Sequence, residues 1–450
     1  MKKVITYGTF DLFHEGHKKL LERAKKLGDY LIVGVTTENY DDSRGKLNVH
    51  QDLMSRIENV KESGLANQII IEEFEGQKIN DIQKYNVDIF AIGSDWKGKF
   101  DYLKEYCEVI YLERTKGISS TELRIQNSGI LKIGIIGYGR IANRFIPESK
   151  FVSGVNVSGV YGLNEKKLED FFKKHEIEFF TTDFDTFINK VDAVYIASPH
   201  LTHYEYIKRS LEKNKHVLCE KPMVLSKSES EELYSLAKNK NLVLLEAIKT
   251  AYCPGFNRLI TLAKSGIIGS IKNVEATFTK LENQDFREFD KTQAGGSLTE
   301  LSTYPLIGIL KLLGTNYESI NFQSFWDKEK EIDLFTKINL KYSHAYATAR
   351  VGLGVKSEGD MIISGTKGYI YVPSPWWKTE YFEIRFENFK DNKRYFYKFD
   401  GDGLRYELAE FTSMINKNIF ESYKLKTVES TKISEIIELF IKGKNLEKIY

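Results

Sequence analysis

The sequence has 450 residues, which is too long for one ordinary compact domain and predicts two or three. Its formal net charge of +2 excludes the strongly basic or acidic balance of a nucleic-acid or membrane-surface protein. The three cysteines lie far apart without a CxxC pair, so we expect neither a disulfide framework nor a structural zinc site. The N-terminus, MKKVITYGTF, is typical of a first strand rather than a signal peptide. No apolar run is long enough to span a bilayer, so we expect a cytoplasmic protein.

Residues 1–128 alternate apolar strand patterns with amphipathic, polar-rich stretches. After a first strand at residues 4–5, the strand patterns are Tyr30–Val35, Gln68–Ile71, Val87–Ile92 and Glu108–Leu112. This alternation predicts a parallel sheet covered by helices. Ligands of such sheets bind at the carboxyl ends of the strands, so functional residues are expected there.

The segment Tyr7–His17, YGTFDLFHEGH, joins the first strand pattern to a helical pattern. A turn of this kind exposes backbone N–H groups at a helix N-terminus, which can bind an anion. His14 and His17 are three residues apart, so both imidazoles can face one bound group, and Gly16 lets a phosphate approach the backbone. We interpret the segment as the triphosphate site of a nucleotidyltransferase. Two ordinary loop histidines are the alternative.

Two more segments fall on the same predicted sheet edge. Gly93–Trp96, GSDW, ends the fourth strand, and Arg114–Thr121, RTKGISST, follows the last one. The hydroxyl side chains of the second segment can cap a helix whose N–H groups meet an anion. Each segment alone fits an ordinary cap or strand-end turn, but together they favour a single ligand site.

The segments TYGTFDLFHEGH, GSDWKGKFDYL, CEVIYLERT and RTKGISST resemble the glycerol-3-phosphate cytidylyltransferase family over nearly all of residues 1–128. The resemblance implies in-line attack of an alcohol phosphate on the α-phosphate of CTP, with loss of pyrophosphate and no covalent enzyme intermediate. It makes His14 and His17 the catalytic donors. The CTP-binding residues that it implies are Thr9, Phe10, His14, Gly16, His17, Lys46, Arg114, Thr115, Gly117, Ile118, Ser119 and Thr121.

The same resemblance implies Mg²⁺ bridging the phosphates of CTP with few protein ligands, and a supporting rather than catalytic Asp11. It places the acceptor phosphate against Lys78 and Arg44. The loop SRGKLN departs from the family pattern, which leaves the identity of the acceptor open. A solvated surface is the alternative for Lys46, Lys78 and Arg56.

A turn-prone run at Gln126–Gly129 precedes a second nucleotide-binding pattern. Leu131–Arg140, LKIGIIGYGR, is an apolar strand that runs into Gly137-x-Gly139-x-x-Ala142, a dinucleotide fingerprint. Gly137 allows the tight turn, Gly139 lets the pyrophosphate approach, and Ala142 permits close helix packing. Near the end of the next strand no acidic residue is available for a ribose, whereas Lys166 and Lys167 follow. NAD and NADP both stay open, with a slight preference for NADP.

The alternation resumes from residue 131 to about residue 250 and then changes to long strands with period-two alternation. The strand patterns are Val155–Tyr161, Val191–Ser198, His216–Glu220, Leu242–Glu246, Ile271–Phe278, Glu331–Tyr342 and Tyr381–Phe389, and the later helices are Ser302–Leu313, Arg405–Met414 and Ile433–Lys442. We predict an α/β fold: two Rossmann-like parallel-sheet units followed by an α+β domain with a large, mostly antiparallel sheet. The predicted domains are residues 1–128, 131–250 and 251–450.

Residues 131–450 resemble the Gfo/Idh/MocA oxidoreductase family through GYGRIA, EKP, LLEAIKTAYCPGF and AGGSLTELSTYPL. The resemblance implies that Lys221 of EKP contacts substrate and nicotinamide, and that Tyr304 is a second proton donor. A strand-terminal salt bridge is the alternative for Lys221. The implied cofactor-binding residues are Gly137, Gly139, Arg140, Ile141, Ala142, Ser198, His200, His203, Glu220 and Lys221.

Three positions depart from that family. Glu300 stands where aspartate is common, Ser302 where glycine is common, and His200 where asparagine is common, so the substrate stays open. We expect Glu246 and Tyr252 to line the pocket, with core packing as the alternative for Tyr252.

These observations lead to the hypothesis of a bifunctional enzyme. One half reduces a keto- or aldo-phosphate to a polyol phosphate with NADP or NAD, and the other half converts it to a CDP-polyol with CTP and Mg²⁺ for a cell-surface polysaccharide. The expected partners are small molecules and further copies of the chain in a dimer or tetramer, without nucleic acid or membrane. Two alternatives remain: an oxidoreductase-like module without turnover, and an oxidoreductase acting on another sugar of the same pathway.

Overall fold

The computed structural model describes residues 1–37, 40–41, 49, 51–74, 76–113, 130–175 and 177–450. The chain forms two compact units, one of residues 1–131 with 150–156 and the other of residues 132–149 with 157–450. The division into three domains stays a prediction. Among the described residues, no helix combines the length and the apolar character needed to cross a membrane.

The N-terminal unit is built on a five-stranded parallel sheet. Its strands are β1 Lys3–Gly8, β2 Tyr30–Thr36, β3 Gln68–Glu72, β4 Ile89–Gly93 and β5 Glu108–Leu112. Their order is β3-β2-β1-β4-β5, and all four pairs are parallel. The helices are Glu15–Lys25, Leu53–Glu62 and Gln77–Tyr85, with 3-10 turns at Ser94–Trp96 and Asp101–Glu105.

Strand β1 lies in the middle of this sheet because both of its faces are apolar. Val4 packs with Leu21 and Leu31 on one face, whereas Ile5 packs with Ile82 and Phe90 on the other. A parallel sheet needs such cover on both faces. Its carboxyl edge carries the segment Tyr7–His17, which is partly buried.

The next sheet has six strands. They are β6 Leu131–Ile136, β7 Val155–Tyr161, β8 Phe179–Thr181, β9 Ala193–Ile196, β10 His216–Glu220 and β11 Leu244–Ala247. Their order is β11-β10-β9-β6-β7-β8, with β6 parallel to β9, β9 to β10, β10 to β11 and β7 to β8. The helices are Arg140–Ser149, Glu165–His175, Phe184–Ile188, His203–Glu212 and Lys227–Asn239, with a 3-10 turn at His200–Thr202.

The last sheet has nine strands and is mostly antiparallel. They are β12 Ile271–Thr279, β13 Ser319–Asp327, β14 Ile332–Lys341, β15 Tyr346–Gly352, β16 Met361–Gly365, β17 Tyr369–Val372, β18 Tyr381–Arg385, β19 Lys393–Phe396 and β20 Leu446–Ile449. Their order is β19-β18-β17-β16-β12-β15-β14-β13-β20. Two pairs are parallel, β12 with β15 and β13 with β20.

Six further helices follow β11 within the described residues. They are Lys249–Tyr252, Pro254–Lys264, Ser297–Leu301, Thr303–Leu313, Leu404–Asn416 and Thr427–Ile441. Short 3-10 turns lie at Arg287–Phe289, Lys291–Gln293, Trp376–Lys378 and Phe389–Asp391. Helix Thr303–Leu313 packs on β12 and β15 and is buried on nearly every side, as its apolar sequence requires.

The predicted fold class is confirmed: parallel Rossmann-like sheets precede a large, mostly antiparallel one. The predicted strand Tyr381–Phe389 is shorter than expected, because the chain leaves the sheet after Arg385 and turns at Phe389–Asp391. Helix Thr427–Ile441 begins six residues before its predicted start. Strand β20 was not predicted, because its four residues carry little alternation and are defined by pairing with the distant β13.

Candidate active sites

His14 and His17 lie together where the helix Glu15–Lys25 begins. His14 is the N-cap residue, and its Nδ1 accepts a hydrogen bond of 3.3 Å from the backbone N–H of His17. The neutral imidazole of His14 then carries its proton on Nε2. The two rings stack with centroids 3.8 Å apart. The structure thus brings both histidines, with Gly16 between them, to one helix N-terminus.

Phe10 supports His17 from within the unit. Its backbone has a positive φ of 51°, and its ring is almost wholly buried. The ring centroid lies 5.3 Å from that of His17 in an edge-on arrangement. The aromatic contact therefore limits the orientations open to the imidazole.

Thr9 is fixed by a buried ion pair. The Asp41 carboxylate accepts from the hydroxyls of Thr9 at 3.0 Å and Thr36 at 2.7 Å. The Arg56 guanidinium donates to the carbonyls of the same residues at 2.9 and 2.7 Å. Arg56 and Asp41 are fully buried with charged atoms 3.7 Å apart. The pair ties the carboxyl ends of β1 and β2 together.

The alternative of a solvated surface for Arg56 and Lys78 is wrong. Lys78 is only 5% exposed and forms an ion pair with the buried Glu72. Its ammonium also lies 4.7 Å from the ring centroid of Tyr7 and 5.5 Å from that of Phe100. This charge is compensated inside the unit, and contact between Lys78 and an acceptor phosphate stays a prediction.

Asp11 supports the turn that carries the histidines. Its carboxylate accepts from the backbone N–H of Gln51 at 2.9 Å, and the Gln51 side chain accepts from the N–H of Leu12. The 3-10 turn Ser94–Trp96 follows β4 on the same sheet edge. The remaining predicted site residues of this unit lie outside the described residues: Arg44, Lys46, Arg114, Thr115, Gly117, Ile118, Ser119 and Thr121.

The glycine loop after β6 has the shape that a dinucleotide needs. Gly137 has a φ of +104°, and a Cβ at this position would lie 2.7 Å from the carbonyl oxygen of Ala197, so only glycine fits. Nothing lies within 4 Å of a Cβ built on Gly139, which leaves the backbone open. Ala142, in the helix Arg140–Ser149 that follows, is fully buried. The fingerprint thus leaves backbone accessible at a helix N-terminus.

Arg140 lies at the start of that helix, and its side chain contacts the segment 282–288. It forms ion pairs with Glu288 and, at 3.8 Å, with Glu282, and its guanidinium lies 5.1 Å from the ring centroid of Phe286. Its side chain is still 59% exposed. Cofactor contacts of Arg140 and the neighbouring Ile141 stay predictions.

Lys221 and Tyr304 come together at the carboxyl end of β10. The ammonium of Lys221 donates to the backbone carbonyl of Glu300 at 2.8 Å and lies 5.9 Å from the ring centroid of Tyr304. Burial, followed by nearby carboxylates, raises the pKa of Tyr304 well above its usual value. The phenol therefore stays protonated and can act as a donor. The two residues implied by the resemblance are thus neighbours.

Glu300 connects Lys221 to two residues on other segments. Its carboxylate lies 3.8 Å from the ammonium of Lys221, 3.0 Å from Nη1 of Arg287 and 3.5 Å from Nδ1 of His200. The other end of Arg287 is 3.5 Å from Nε2 of His200. Burial, followed by the charge of Lys221, holds the pKa of His200 well below its usual value, so this imidazole is neutral.

Arg287 is a site residue that the sequence did not reveal. It lies in the 3-10 turn Arg287–Phe289, outside every motif that carried the resemblance. Only the fold brings this loop beside Glu300. Its neighbour in sequence, Glu288, instead pairs with Arg140.

His203, Ser198 and Glu220 shape the two strand ends beside this cluster. The ring nitrogens of His203 lie 2.9 Å from the carbonyl oxygens of Ser198 and Pro222, and burial lowers its pKa to about 4. The Tyr195 hydroxyl donates to Glu220 at 2.5 Å, and burial raises the pKa of that carboxyl. These contacts position the strand ends, and direct cofactor binding by the three residues stays a prediction.

Glu246 and Tyr252 are almost fully buried, and their contact with the pocket stays a prediction. The Glu246 carboxylate accepts from the N–H of Met223 at 2.9 Å and from the hydroxyl of Ser430. The Tyr252 hydroxyl donates to the Glu246 carbonyl at 2.7 Å. Core packing, the alternative for Tyr252, fits the structure. Within the described ranges, no group of three or more His, Cys, Asp and Glu side chains could hold a metal.

In comparisons with known proteins, two different family models match the chain, and the boundary between them lies close to residue 130. Residues 5–126 match the family model described as cytidylyltransferase-like, and residues 131–247 match that of the oxidoreductase family with an NAD-binding Rossmann fold. Glycerol-3-phosphate cytidylyltransferase of Bacillus spizizenii is 59% identical over 124 residues, which are 28% of this chain and 95% of that protein. Trans-1,2-dihydrobenzene-1,2-diol dehydrogenase of Bos taurus is 25% identical over 319 residues, which are 68% of this chain and 95% of that protein.

Solved structures share the fold of the C-terminal part. KijD10, a 3-ketoreductase from Actinomadura kijaniata in complex with NADP and TDP-benzene, has a TM-score of 0.65 at 19% identity and covers 71% of this chain and 99% of its own. Levoglucosan dehydrogenase in complex with NADH and levoglucosan has a TM-score of 0.62 at 17% identity, with 70% and 97% covered.

The fold, the glycine loop and these relatives define an enzyme that joins a cytidylyltransferase domain to an NAD(P)-dependent oxidoreductase domain. More narrowly, the chain belongs to the glycerol-3-phosphate cytidylyltransferase family in its N-terminal part and to the Gfo/Idh/MocA oxidoreductase family in its C-terminal part. Both resemblances seen in the sequence are thereby confirmed.

Proposed function

We propose that the two domains act in sequence on one small molecule. The oxidoreductase domain reduces a keto- or aldo-phosphate to a polyol phosphate, and the cytidylyltransferase domain converts that product to a CDP-polyol. The observation that carries this proposal is the fusion itself: a domain 59% identical to a glycerol-3-phosphate cytidylyltransferase is joined to an oxidoreductase domain whose Lys221 and Tyr304 are neighbours. An alditol phosphate is a product of such a reduction and belongs to the acceptor class of such a transferase.

In the reductive half, the side chains of Lys221 and Tyr304 handle the carbonyl oxygen. A bound nicotinamide dinucleotide, for which NADP is preferred, supplies the hydride that adds to the carbonyl carbon. Lys221, held by the carbonyl of Glu300, orients and polarises the oxygen. The Tyr304 hydroxyl donates the proton that the new alkoxide takes up. The loop at Gly137–Ala142 would hold the pyrophosphate of the dinucleotide, because nothing covers its backbone at Gly139.

In the transfer half, His14 and His17 stabilise charge. A phosphate oxygen of the polyol phosphate attacks the α-phosphorus of CTP, and the bond to pyrophosphate breaks. Nε2 of His14 donates toward the oxygens that gain charge, with His17 beside it. Mg²⁺ held mainly by the phosphates would neutralise the leaving group. The CDP-polyol would then serve a teichoic-acid-like or capsular polymer.

A coupled assay on the full chain tests the proposal. The protein is incubated with NADPH, CTP, Mg²⁺ and a panel of ketose and aldose phosphates, and CDP-polyol is measured by mass spectrometry. We expect Lys221→Met to make no CDP-polyol from the carbonyl phosphate but to make it from added polyol phosphate. We expect His14→Gln to lower the transfer by about 100-fold or more, so that polyol phosphate accumulates.

Two outcomes of these assays would contradict the proposal. If no polyol phosphate made by the wild-type reductase is accepted by the transferase, the two domains do not share an intermediate. If nicotinamide fluorescence shows binding but the whole panel gives no turnover, the second domain is a binding module without catalysis.

A further inference from the structure

The guanidinium of Arg287 is held at the reductase site at both of its ends, since Nη2 lies 3.5 Å from Nε2 of His200. Nη1 lies 3.0 Å from the Glu300 carboxylate and is buried, whereas the side chain as a whole is 32% exposed. Part of the side chain therefore stays accessible to solvent beside these two contacts. A guanidinium fixed in this way presents its remaining N–H groups with little loss of conformational freedom.

The charges around Arg287 leave an excess of positive charge. Lys221 and Arg287 are both cations that pair with the same carboxylate, that of Glu300, and the third neighbour, His200, is kept neutral by burial. Burial also raises the pKa of Glu220, the carboxyl that precedes Lys221, which favours its neutral form. The next acidic residue of the loop, Glu288, is occupied by Arg140. The cluster is therefore suited to an anionic substrate rather than a neutral one.

The spacing within the cluster fits a substrate that carries both a carbonyl and an anion. Glu300 lies between the two cations, 3.8 Å from the ammonium of Lys221 and 3.0 Å from the guanidinium of Arg287. A carbonyl oxygen held by Lys221 and Tyr304 is thus separated from Arg287 by the width of one carboxylate. A short acyclic carbon chain can span that separation.

We propose that Arg287 binds the phosphate group of the carbonyl substrate and so selects phosphorylated over unphosphorylated compounds. This inference rests on the proposed function for the class of substrate, since a polyol phosphate must come from a phosphorylated carbonyl compound. The dinucleotide is a second source of phosphate, and the experiment separates the two.

The test compares Arg287→Gln with Arg394→Gln in the full chain. Arg394 is a matched control because it also pairs with a glutamate, Glu383, at 3.2 Å, but lies on strand β19. Initial rates are measured with ketose phosphates, with the same ketoses lacking phosphate, and at varied NADPH. We expect Arg287→Gln to raise KM for the phosphorylated ketose by about 10- to 100-fold, the effect of losing a charge-assisted hydrogen bond.

The same variant should change KM for the unphosphorylated ketose and for NADPH by less than about twofold, and Arg394→Gln should change none of the three constants. Inorganic phosphate should compete with the ketose phosphate in the wild type and lose that effect in Arg287→Gln. An equal loss with both ketoses would show that Arg287 acts only through Glu300 and would overturn the proposal. A raised KM for NADPH alone would overturn it too, since the phosphate bound would be that of the cofactor.

A separate measurement distinguishes failure of this inference from failure of the proposed function. Inorganic phosphate is titrated into the NADPH-bound full chain, and nicotinamide fluorescence is followed. If wild-type protein reduces no carbonyl phosphate, the proposed function fails. Phosphate binding that is present in the wild type and in Arg394→Gln but absent in Arg287→Gln would still establish the anion site, and equal binding by all three proteins would rule it out.

Discussion

Arg56 shows how a buried charge can position a residue that is predicted to bind a ligand, Thr9. Its guanidinium and the Asp41 carboxylate together hold both the backbone and the hydroxyl of Thr9, at the carboxyl end of the central strand. Each charge is tolerated inside the unit because the other compensates it. Removing one partner leaves an uncompensated buried charge, which costs far more than the pair itself contributes.

We therefore expect Arg56→Met to destabilise the N-terminal unit by about 3–5 kcal/mol and to lower cytidylyl transfer. Thermal unfolding and the CTP-dependent rate measure the two effects. Lys61→Met is the control, because Lys61 belongs to the same helix and pairs with Glu58 at 3.4 Å, but is 69% exposed. It should change the stability by less than about 0.5 kcal/mol. Similar losses in both variants would contradict a special role for Arg56.

Glu246 predicts a pH dependence of stability. Burial raises the pKa of this carboxyl from 4.5 to about 7 in the folded protein. The folded state then binds more protons than the unfolded state between these values. The contribution of Glu246 to stability is full below pH 4.5 and is lost as the pH rises through 7.

We expect Glu246→Gln to be more stable than the wild type at pH 8, by up to about 3 kcal/mol, and to show a smaller fall in melting temperature between pH 5 and pH 8. Glutamine keeps an acceptor for the N–H of Met223, so the packing of the loop is preserved. Thermal unfolding of both proteins across this range is the measurement. Parallel curves for the two proteins would show that the carboxyl does not titrate there.

Among the elements, the loop between β6 and helix Arg140–Ser149 shows two different uses of glycine. Gly137 is required by its positive φ and by the carbonyl of Ala197, whereas Gly139 faces open space. The first glycine is needed for the fold, and the second leaves room for a ligand.

Substitution of Gly137 should therefore affect both stability and cofactor binding, whereas substitution of Gly139 should affect cofactor binding alone. Gly137→Ala should lower the melting temperature and weaken NADPH binding together, because the added Cβ meets backbone at 2.7 Å. Gly139→Ala should keep the melting temperature within a few degrees and weaken only NADPH binding. Nicotinamide fluorescence titration and thermal unfolding are measured on each variant. A fall in stability in Gly139→Ala would show that this position, too, is needed by the fold.

Local patterns explain which features could be predicted from the sequence. His14 and His17 are three residues apart on one helix, and the strand before Gly137 is a continuous apolar run, so both are visible in a short window. The contacts that complete the sites are not local. Lys221 meets Glu300, and Arg56 meets Thr9, only because the fold places separate segments together. A solvated surface was an open alternative for Arg56 because arginine is usually exposed and its buried partner, Asp41, lies on a different segment.

At the scale of the whole molecule, the chain consists of two compact units, each with its own sheets and core. The families of the two parts differ, and each part carries its own nucleotide fingerprint. A ligand that binds only the folded form of one unit stabilises that unit by mass action.

We expect calorimetry of the full chain to show two unfolding transitions. CTP with Mg²⁺ should raise only one of them, and NADPH only the other. A ligand at about 100 times its Kd stabilises its unit by about 2.7 kcal/mol, which is enough to shift a transition by several degrees. His14→Gln and Lys221→Met identify which transition belongs to which unit. A single transition that moves with either ligand would contradict independent units.

The position of Tyr304 in the first turn of a buried helix has a consequence for how the reductase can diversify. The rest of helix Thr303–Leu313 is packed under β12 and β15, so Tyr304, the proposed proton donor, is anchored in the buried core. Arg287 instead lies in a surface-near loop between β12 and helix Ser297–Leu301. Directed evolution could therefore vary the sequence of the loop that carries Arg287 to change which substrates bind. The helix that carries Tyr304 would not need to change.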